Sequence, residues 1–234
     1  MKINAAICDD QLVLAKETAY ELSQLCPDYS VDIYTSGREL IQSEVYYDLI
    51  FLDIEMPEQD GMQTAEQIRE HGNGGHIIFL TSHTERMPDA FKVKAFRFLC
   101  KPIEPEKFRE AVIQAEKEIL NDKKISLIEK GRTRLISLND IVCVEAFGDG
   151  TYIHTKYEII ENSRTLKYWK DVLGKEHFYQ THKSYLVALR YVKSIGVTDS
   201  EMLYMKERPL ISRRRQAEFN KEFLTYVKRN AKYL

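Results

Sequence analysis

The chain has 234 residues, 44% hydrophobic and 30% charged, a balance that fits a soluble protein able to build a core. No run of about 18 apolar residues occurs, so no membrane-spanning segment is expected, and the early Asp9-Asp10 pair argues against a signal peptide. The four cysteines, Cys8, Cys26, Cys100 and Cys143, lie far apart, which excludes a disulfide frame or zinc site and reads as reduced thiols of a cytoplasmic protein.

The net charge of −2 hides an asymmetry. Residues 1–124 hold 14 Lys and Arg against 23 Asp and Glu, and residues 125–234 hold 20 against 13. An acidic half joined to a basic half points to two domains with different partners. The basic half is a candidate for a polyanion.

In chain order, Ile3 to Cys8 reads as a first strand ending at Asp9-Asp10. Leu12, Ala15, Ala19, Leu22 and Leu25 recur at helical spacing, and Pro27 closes that helix. Val31 and Ile33 mark a second strand, with a turn at Thr35-Ser36-Gly37. A helix with Leu40 and Ile41 follows. Leu49-Ile50-Phe51-Leu52 then reads as a strand buried on both faces, ending on Asp53. Met56-Pro57 forces the chain to turn. A helix runs from Met62 to Glu70 and breaks at Gly72, Gly74 and Gly75. Ile77 to Leu80 is a fourth buried strand, ending at Thr81-Ser82. A short helix is predicted over about Arg86 to Lys94. Phe96 to Cys100 is a fifth strand, ending at Lys101-Pro102. The last helix starts near Glu104 and shows an apolar face of Phe108, Ala111, Val112, Ala115 and Ile119.

Five alternations of strand and helix predict a parallel, doubly wound five-stranded sheet with helices on both faces. Asp9, Asp10, Asp53, Thr81 and Lys101 each follow a strand end, so all are expected at one edge of the sheet. Asp53 alone would fit a helix cap as well as a ligand. Three carboxylates, a hydroxyl and an amine together form a constellation. Crowded carboxylates need a cation, and hard oxygen ligands suit Mg²⁺. A carboxylate held there can act as a nucleophile toward a phosphoryl group. The cation and Lys101 would offset the developing charge.

Residues 1 to about 120 resemble a response-regulator receiver domain. The resemblance rests on Asp9-Asp10, on Asp53 followed by Met56-Pro57 and Asp60-Gly61, on Thr81, and on Lys101-Pro102. It implies that Asp53 accepts phosphoryl from a phosphohistidine on a sensor histidine kinase. It implies that Asp10, Asp53 and the Glu55 backbone carbonyl bind Mg²⁺, with Asp9 acting through water. The bond before Pro102 would be cis. Thr81 and Phe98 would be the switch residues, although Phe98 also reads as a core strand aromatic.

From Lys123 the pattern changes to short β-rich runs with turns, which predicts a mostly antiparallel β domain. The runs are Ile125–Ile128, Thr133–Ile136, Ile141–Val144, Tyr152–His154, Glu158–Ile160, Tyr185–Leu189, Tyr191–Ile195 and Met202–Met205. Gly131, Asn139 and Gly148-Asp149-Gly150 punctuate them. Leu166 to Leu173 fits a helix. Phe219, Phe223, Tyr226 and Val227 stripe a closing helix. No phosphate-binding glycine loop, metal-ligand spacing or nucleophile elbow occurs, so an enzymatic output lacks support. Arg213-Arg214-Arg215 opens the closing helix after Ser212, a candidate N-cap. Cations there oppose the helix dipole, so contact with phosphates or guanine edges explains them better. Gly148 to Thr151 reads as a hairpin turn or as a contact loop.

Residues 125–234 resemble the LytTR DNA-binding domain at Val144-Glu145-Ala146 with Gly148-Asp149-Gly150-Thr151-Tyr152, at Phe178 to Val187, and at Pro209 to Arg214. The resemblance implies DNA contacts from Gly148, Asp149, Gly150, Thr151, His182, Lys183, Ser212 and Arg213. Two departures stand out: Lys183 replaces the usual Arg, and Ala188 the usual Asn. Lys lacks the planar fork of Arg, so base reading there is weaker or phosphate-directed.

The expected organisation is a receiver over 1–121, a linker at 122–125, and a LytTR-like domain over 126–234. The expected function is a cytoplasmic two-component transcription regulator. It would be phosphorylated on Asp53, bind double-stranded DNA, and form a homodimer when phosphorylated. The other reading is a receiver-controlled docking module whose basic half binds an acidic partner.

Overall fold

The computed structural model describes residues 3–82, 92–129, 132–174 and 177–230. The chain divides into two compact units, one running to Ile119 and the other starting at Leu120.

The first unit holds β1 (Asn4–Cys8), β2 (Ser30–Tyr34), β3 (Leu49–Asp53), β4 (His76–Thr81) and β5 (Arg97–Cys100). They form one parallel sheet in the order β2-β1-β3-β4-β5. Successive residues of a strand point to opposite faces, and each face feeds its own core. Ala5, Ile7, Leu49, Phe51, Ile78 and Leu80 pack with helices α1 (Leu12–Leu25) and α4 (Pro105–Asp122). Ala6, Cys8, Ile50, Leu52, Ile77 and Phe79 pack with α2 (Gly37–Gln42) and α3 (Gly61–Glu70). This is why the strands read as unbroken apolar runs. Reversal of the strand order about β1 places a crevice at the carboxyl edge, where ligands of such sheets bind.

Two details depart from the expected pattern. Leu12 is 45% exposed, because it opens α1 past the end of β1. The buried stripe of α1 is Ala15, Thr18 and Leu22. The helix expected over Arg86 to Lys94 lies outside the described residues except for 92–94, which form a turn.

The second unit is built on an antiparallel sheet in the order β10-β9-β8-β12-β11. Its strands are β8 (Ile141–Phe147), β9 (Gly150–Thr155), β10 (Ile159–Asn162), β11 (Phe178–His182) and β12 (Tyr185–Ala188). Two hairpins accompany it, β6 (Lys124–Glu129) with β7 (Arg132–Ser137), and β13 (Val192–Ile195) with β14 (Ser200–Met202). Helices α5 (Leu166–Leu173) and α6 (Arg213–Asn230) complete the unit. Its core gathers Val142, Val144, Ile153, Leu186, Trp169 and Phe219.

Only Lys123 separates α4 from β6, so residues 122–125 lie almost wholly in regular structure. The strand expected over Met202 to Met205 ends at Met202. Leu203 and Tyr204 turn instead, with Tyr204 at φ 65. Strand β11 is an addition to the expected strands, and Gly131 lies outside the described residues.

Candidate functional sites

In the first unit, strand ends gather the acidic constellation at one edge. Asp9 follows β1, Asp53 ends β3, Thr81 ends β4 and Lys101 follows β5. Asp9, Asp53 and Thr81 are buried. Lys101 Nζ donates to Asp9 Oδ2 at 2.7 Å and to Asp53 Oδ2 at 2.8 Å. Carboxylate oxygens of Asp9, Asp10 and Asp53 all lie within 4.8 Å of one another. Asp9 Oδ1 accepts from the Gln11 N–H at 2.9 Å. The turn after β3 is fixed by Gly61, whose N–H donates to the Ile54 carbonyl at 2.9 Å. A Cβ at Gly61 would lie 2.0 Å from the Asp53 carbonyl oxygen, so only glycine lets α3 start this close to the site. Asp60 caps α3 by accepting from the Gln63 N–H at 2.8 Å.

Burial raises the Asp53 carboxyl above its ordinary range, against the pull of Lys101 and of the Glu55 N–H. Burial also works against the Lys101 charge, yet the bonds from Asp53 and Asp9 hold its pKa above the usual value. One ammonium thus faces three carboxylates. Asp10 Oδ1 is buried without a hydrogen-bond partner. That orphaned oxygen, with an all-carboxylate donor set, fits a hard divalent cation. A cleft of about 1080 Å³ opens over the site and is bordered by Asp10, Asp53, Glu55, Ser82 and Lys101. The neighbouring Cys8 thiol is pushed up to about 12 by burial and then by the carboxylates. It therefore stays protonated and fills space, its Sγ 3.5 Å from Met56 Sδ.

Phe98 is half-buried, its ring 5.1 Å from that of Phe79. The Lys101-Pro102 bond is cis.

In the second unit, hydrogen bonds bring three separate stretches to one end. The Ala146 N–H donates to the Ser184 carbonyl at 2.8 Å, which sets the β8–β9 tip beside the β11–β12 turn. The Ser212 N–H donates to the Thr181 carbonyl at 2.9 Å, and Arg215 Nη1 to the Gln180 carbonyl at 2.6 Å. These two bonds tie the start of α6 to β11. Gly148, Asp149, Lys183, Arg213 and Arg214 are exposed on this edge. Gly148 turns the hairpin at φ 54. His182 Nδ1 accepts from the Ser184 N–H at 3.2 Å, which leaves the proton of the neutral ring on Nε2.

One expected contact is corrected, and a second has its hydroxyl turned inward. Thr151 is 1% exposed, on the inward face of β9. Its Oγ1 donates to the Arg164 carbonyl at 3.0 Å and accepts from Trp169 Nε1 at 2.9 Å, so it is a core residue. Ser212 Oγ is buried without a partner. The hydroxyl does not cap α6, the residue itself is half-buried, and its N–H is taken by Thr181.

Glu145 has a structural role that its type and position in the sequence do not announce. Its Oε1 accepts from the Tyr185 hydroxyl at 2.7 Å, and its Oε2 lies 2.9 Å from His154 Nε2. It therefore braces β8 against β12 and β9 just below the two turns. Burial, then Glu145, raise the Tyr185 phenol well above its usual range, so it remains a donor. The available signal was an acid set between Val144 and Ala146, opposite Tyr185 and Tyr152.

Residues 5–113 match the family of response regulator receiver domains, and residues 131–223 match the LytTr DNA-binding domain. The sensory transduction protein LytT of Oceanobacillus iheyensis is 30% identical over 212 residues, covering 83% of this chain and 84% of that protein. The sensory transduction protein LytR of Staphylococcus saprophyticus is 26% identical over 219 residues, covering 82% and 86%. The transcriptional regulatory protein YpdB of Escherichia coli is 23% identical over 205 residues, covering 81% and 84%. Among solved structures, the signal receiver domain of a putative Luxo repressor protein from Vibrio parahaemolyticus is 20% identical, with a TM-score of 0.47, over 51% of this chain and 93% of its own. The chain belongs to the response regulators that join a receiver domain to a LytTR DNA-binding domain, and it is a transcription factor of that family, its output a DNA-binding domain rather than an enzyme.

Proposed function

We propose that Asp53 is the phosphoacceptor and that its phosphorylation by a sensor histidine kinase controls DNA binding. The observation that carries this reading is the Lys101 bridge between Asp9 and Asp53 beside the unpartnered Asp10 oxygen. A carboxylate oxygen of Asp53 attacks phosphorus, the bond to the phosphohistidine nitrogen breaks, and the leaving imidazole takes a proton. Lys101 is placed to follow the charge from the carboxylate onto the phosphoryl oxygens. Asp10, Asp53 and the Glu55 carbonyl would hold Mg²⁺, with Asp9 behind a water. Bound there, Mg²⁺ supplies positive charge that offsets the repulsion between the carboxylates and the incoming phosphoryl group. Thr81 donates its hydroxyl to a phosphoryl oxygen, and Phe98 turns inward behind it.

Homodimerisation on the face built by β5, α4 and the helix expected near residues 86–94 would then pair two DNA-binding units. Most of that third piece lies outside the described residues. Pairing two modest contacts raises avidity without new ones. Gly148, Asp149, Gly150, His182, Lys183 and Arg213 would face the DNA.

Incubation with phosphoramidate and Mg²⁺ tests the chemistry. Intact mass should show one added phosphoryl group on the wild type and none on Asp53→Asn. Equal phosphorylation of the variant would remove Asp53 as acceptor.

A further inference from the structure

Phe147 ends β8 at the tip of the hairpin and is 56% exposed. Its ring stacks on Tyr152, with centroids 4.4 Å apart and planes at 28°. Across the ladder it faces Gly150, which brings no side chain against the ring. Two residues on, Asp149 is exposed and has no hydrogen bond or ion pair among the described residues. Both stand on the edge that carries the exposed cations Lys183, Arg213 and Arg214.

A simpler account is hairpin stability, since an aromatic ring over a glycine supports a strand pair. That explains the stack. It does not explain a ring left half open to water on a charged edge, nor an exposed, unpaired carboxylate at the tip of an edge whose cations suit phosphates. A carboxylate turned toward phosphates is repelled. It is favourable on DNA only opposite a hydrogen-bond donor. In the major groove that donor is an exocyclic amino group, cytosine N4 or adenine N6, and the apolar feature is the thymine 5-methyl. The Tyr152 stack fixes the Phe147 ring before contact, which reduces the ordering cost of binding.

We propose that the Phe147–Asp149 tip reads bases, with the Phe147 ring packed on a thymine 5-methyl and Asp149 accepting from the exocyclic amino group of an adjacent base. This rests on the DNA-facing edge described under the proposed function and assigns part of its sequence preference.

The full chain, activated with beryllofluoride and Mg²⁺, is used to select duplexes from a random-sequence pool. The recovered duplex is then resynthesised with each thymine in turn replaced by deoxyuridine. Wild-type protein should lose about fourfold in affinity at one thymine per bound domain, the effect of one buried methyl group. Phe147→Ala should bind the intact duplex more weakly and ignore that same replacement. Asp149→Ala keeps the stack and removes the acceptor, and its selected sequences should lose the preference at the adjacent position. Loss of a cytosine preference there identifies cytosine, and loss of an adenine preference identifies adenine.

A wild type indifferent to every deoxyuridine would overturn the proposal without recourse to any variant. So would a Phe147→Ala protein as sensitive as the wild type, or an Asp149→Ala protein that selects the wild-type sequence. In each case the DNA-facing edge would still stand. Failure of the wild type to enrich any duplex would overturn both readings.

Discussion

Lys101 Nζ lies 2.8 Å from Asp53 Oδ2, although the two residues are 48 positions apart in the chain. The same ammonium holds Asp9 at 2.7 Å, so one cation restrains two buried carboxylates while Asp10 Oδ1 is buried without a hydrogen-bond partner. The receiver unit is therefore built with an excess of negative charge at its functional edge.

That excess predicts opposite effects of one substitution. Asp10→Asn removes repulsion and should raise the metal-free denaturation midpoint. It should also blunt the gain on adding Mg²⁺. Saturation of the wild type at about 100 times the dissociation constant contributes about 2.7 kcal/mol. Chemical denaturation with and without Mg²⁺ checks both signs. A variant that gains as much from Mg²⁺ as the wild type would place the cation elsewhere.

Thr151 separates a core role from a DNA role. Thr151→Val keeps the shape but strands Trp169 Nε1, which should cost about 1–3 kcal/mol. The salt dependence of DNA binding should not change. Urea unfolding and salt titrations of binding read the two effects separately.

Arg213 and Arg214 should behave differently from Arg215. Arg213→Ala and Arg214→Ala should each weaken DNA binding and reduce the slope of log affinity against log salt by about 1. Arg215 is tied to the Gln180 carbonyl at 2.6 Å, so Arg215→Ala should mainly loosen the start of α6. Binding isotherms across a salt series check the slopes.

His177 makes the DNA-binding unit acid-sensitive. Burial, aided by the nearby Arg190, holds its imidazole down to about 3. The unfolded chain takes up the proton near 6.5 and the folded chain does not. The contribution is fully present above about 6.5 and is lost as pH falls toward the folded value. Within that window stability should fall by roughly 1.4 kcal/mol per pH unit. His177→Gln should flatten this part of the profile, as read from urea midpoints between about pH 7 and pH 5.

The receiver unit was legible because its strands are buried on both faces and feed two cores. Such strands read as unbroken apolar runs, and the polar residue that ends each run falls at the carboxyl edge. The second unit was less legible at particular places. Strand β11 is hard to read from sequence because its register shifts between Tyr179 and His182, which spoils the alternation that marks a strand. Thr151 looked like a loop hydroxyl. Its spacing of two from Ile153 already placed both on one face of β9, and that face is the core. Ser212 fitted an N-cap by residue type, but its hydroxyl is sealed beneath the surface. Glu145 drew no role because the value of a half-buried acid depends on partners from two other strands.

The most direct test of the central claim is fluorescence anisotropy of the full chain on labelled duplex DNA from its own genomic neighbourhood, with and without beryllofluoride and Mg²⁺. The account predicts tighter binding with the phosphoryl mimic and no gain for Asp53→Asn. Equal binding with and without the mimic would contradict control through Asp53.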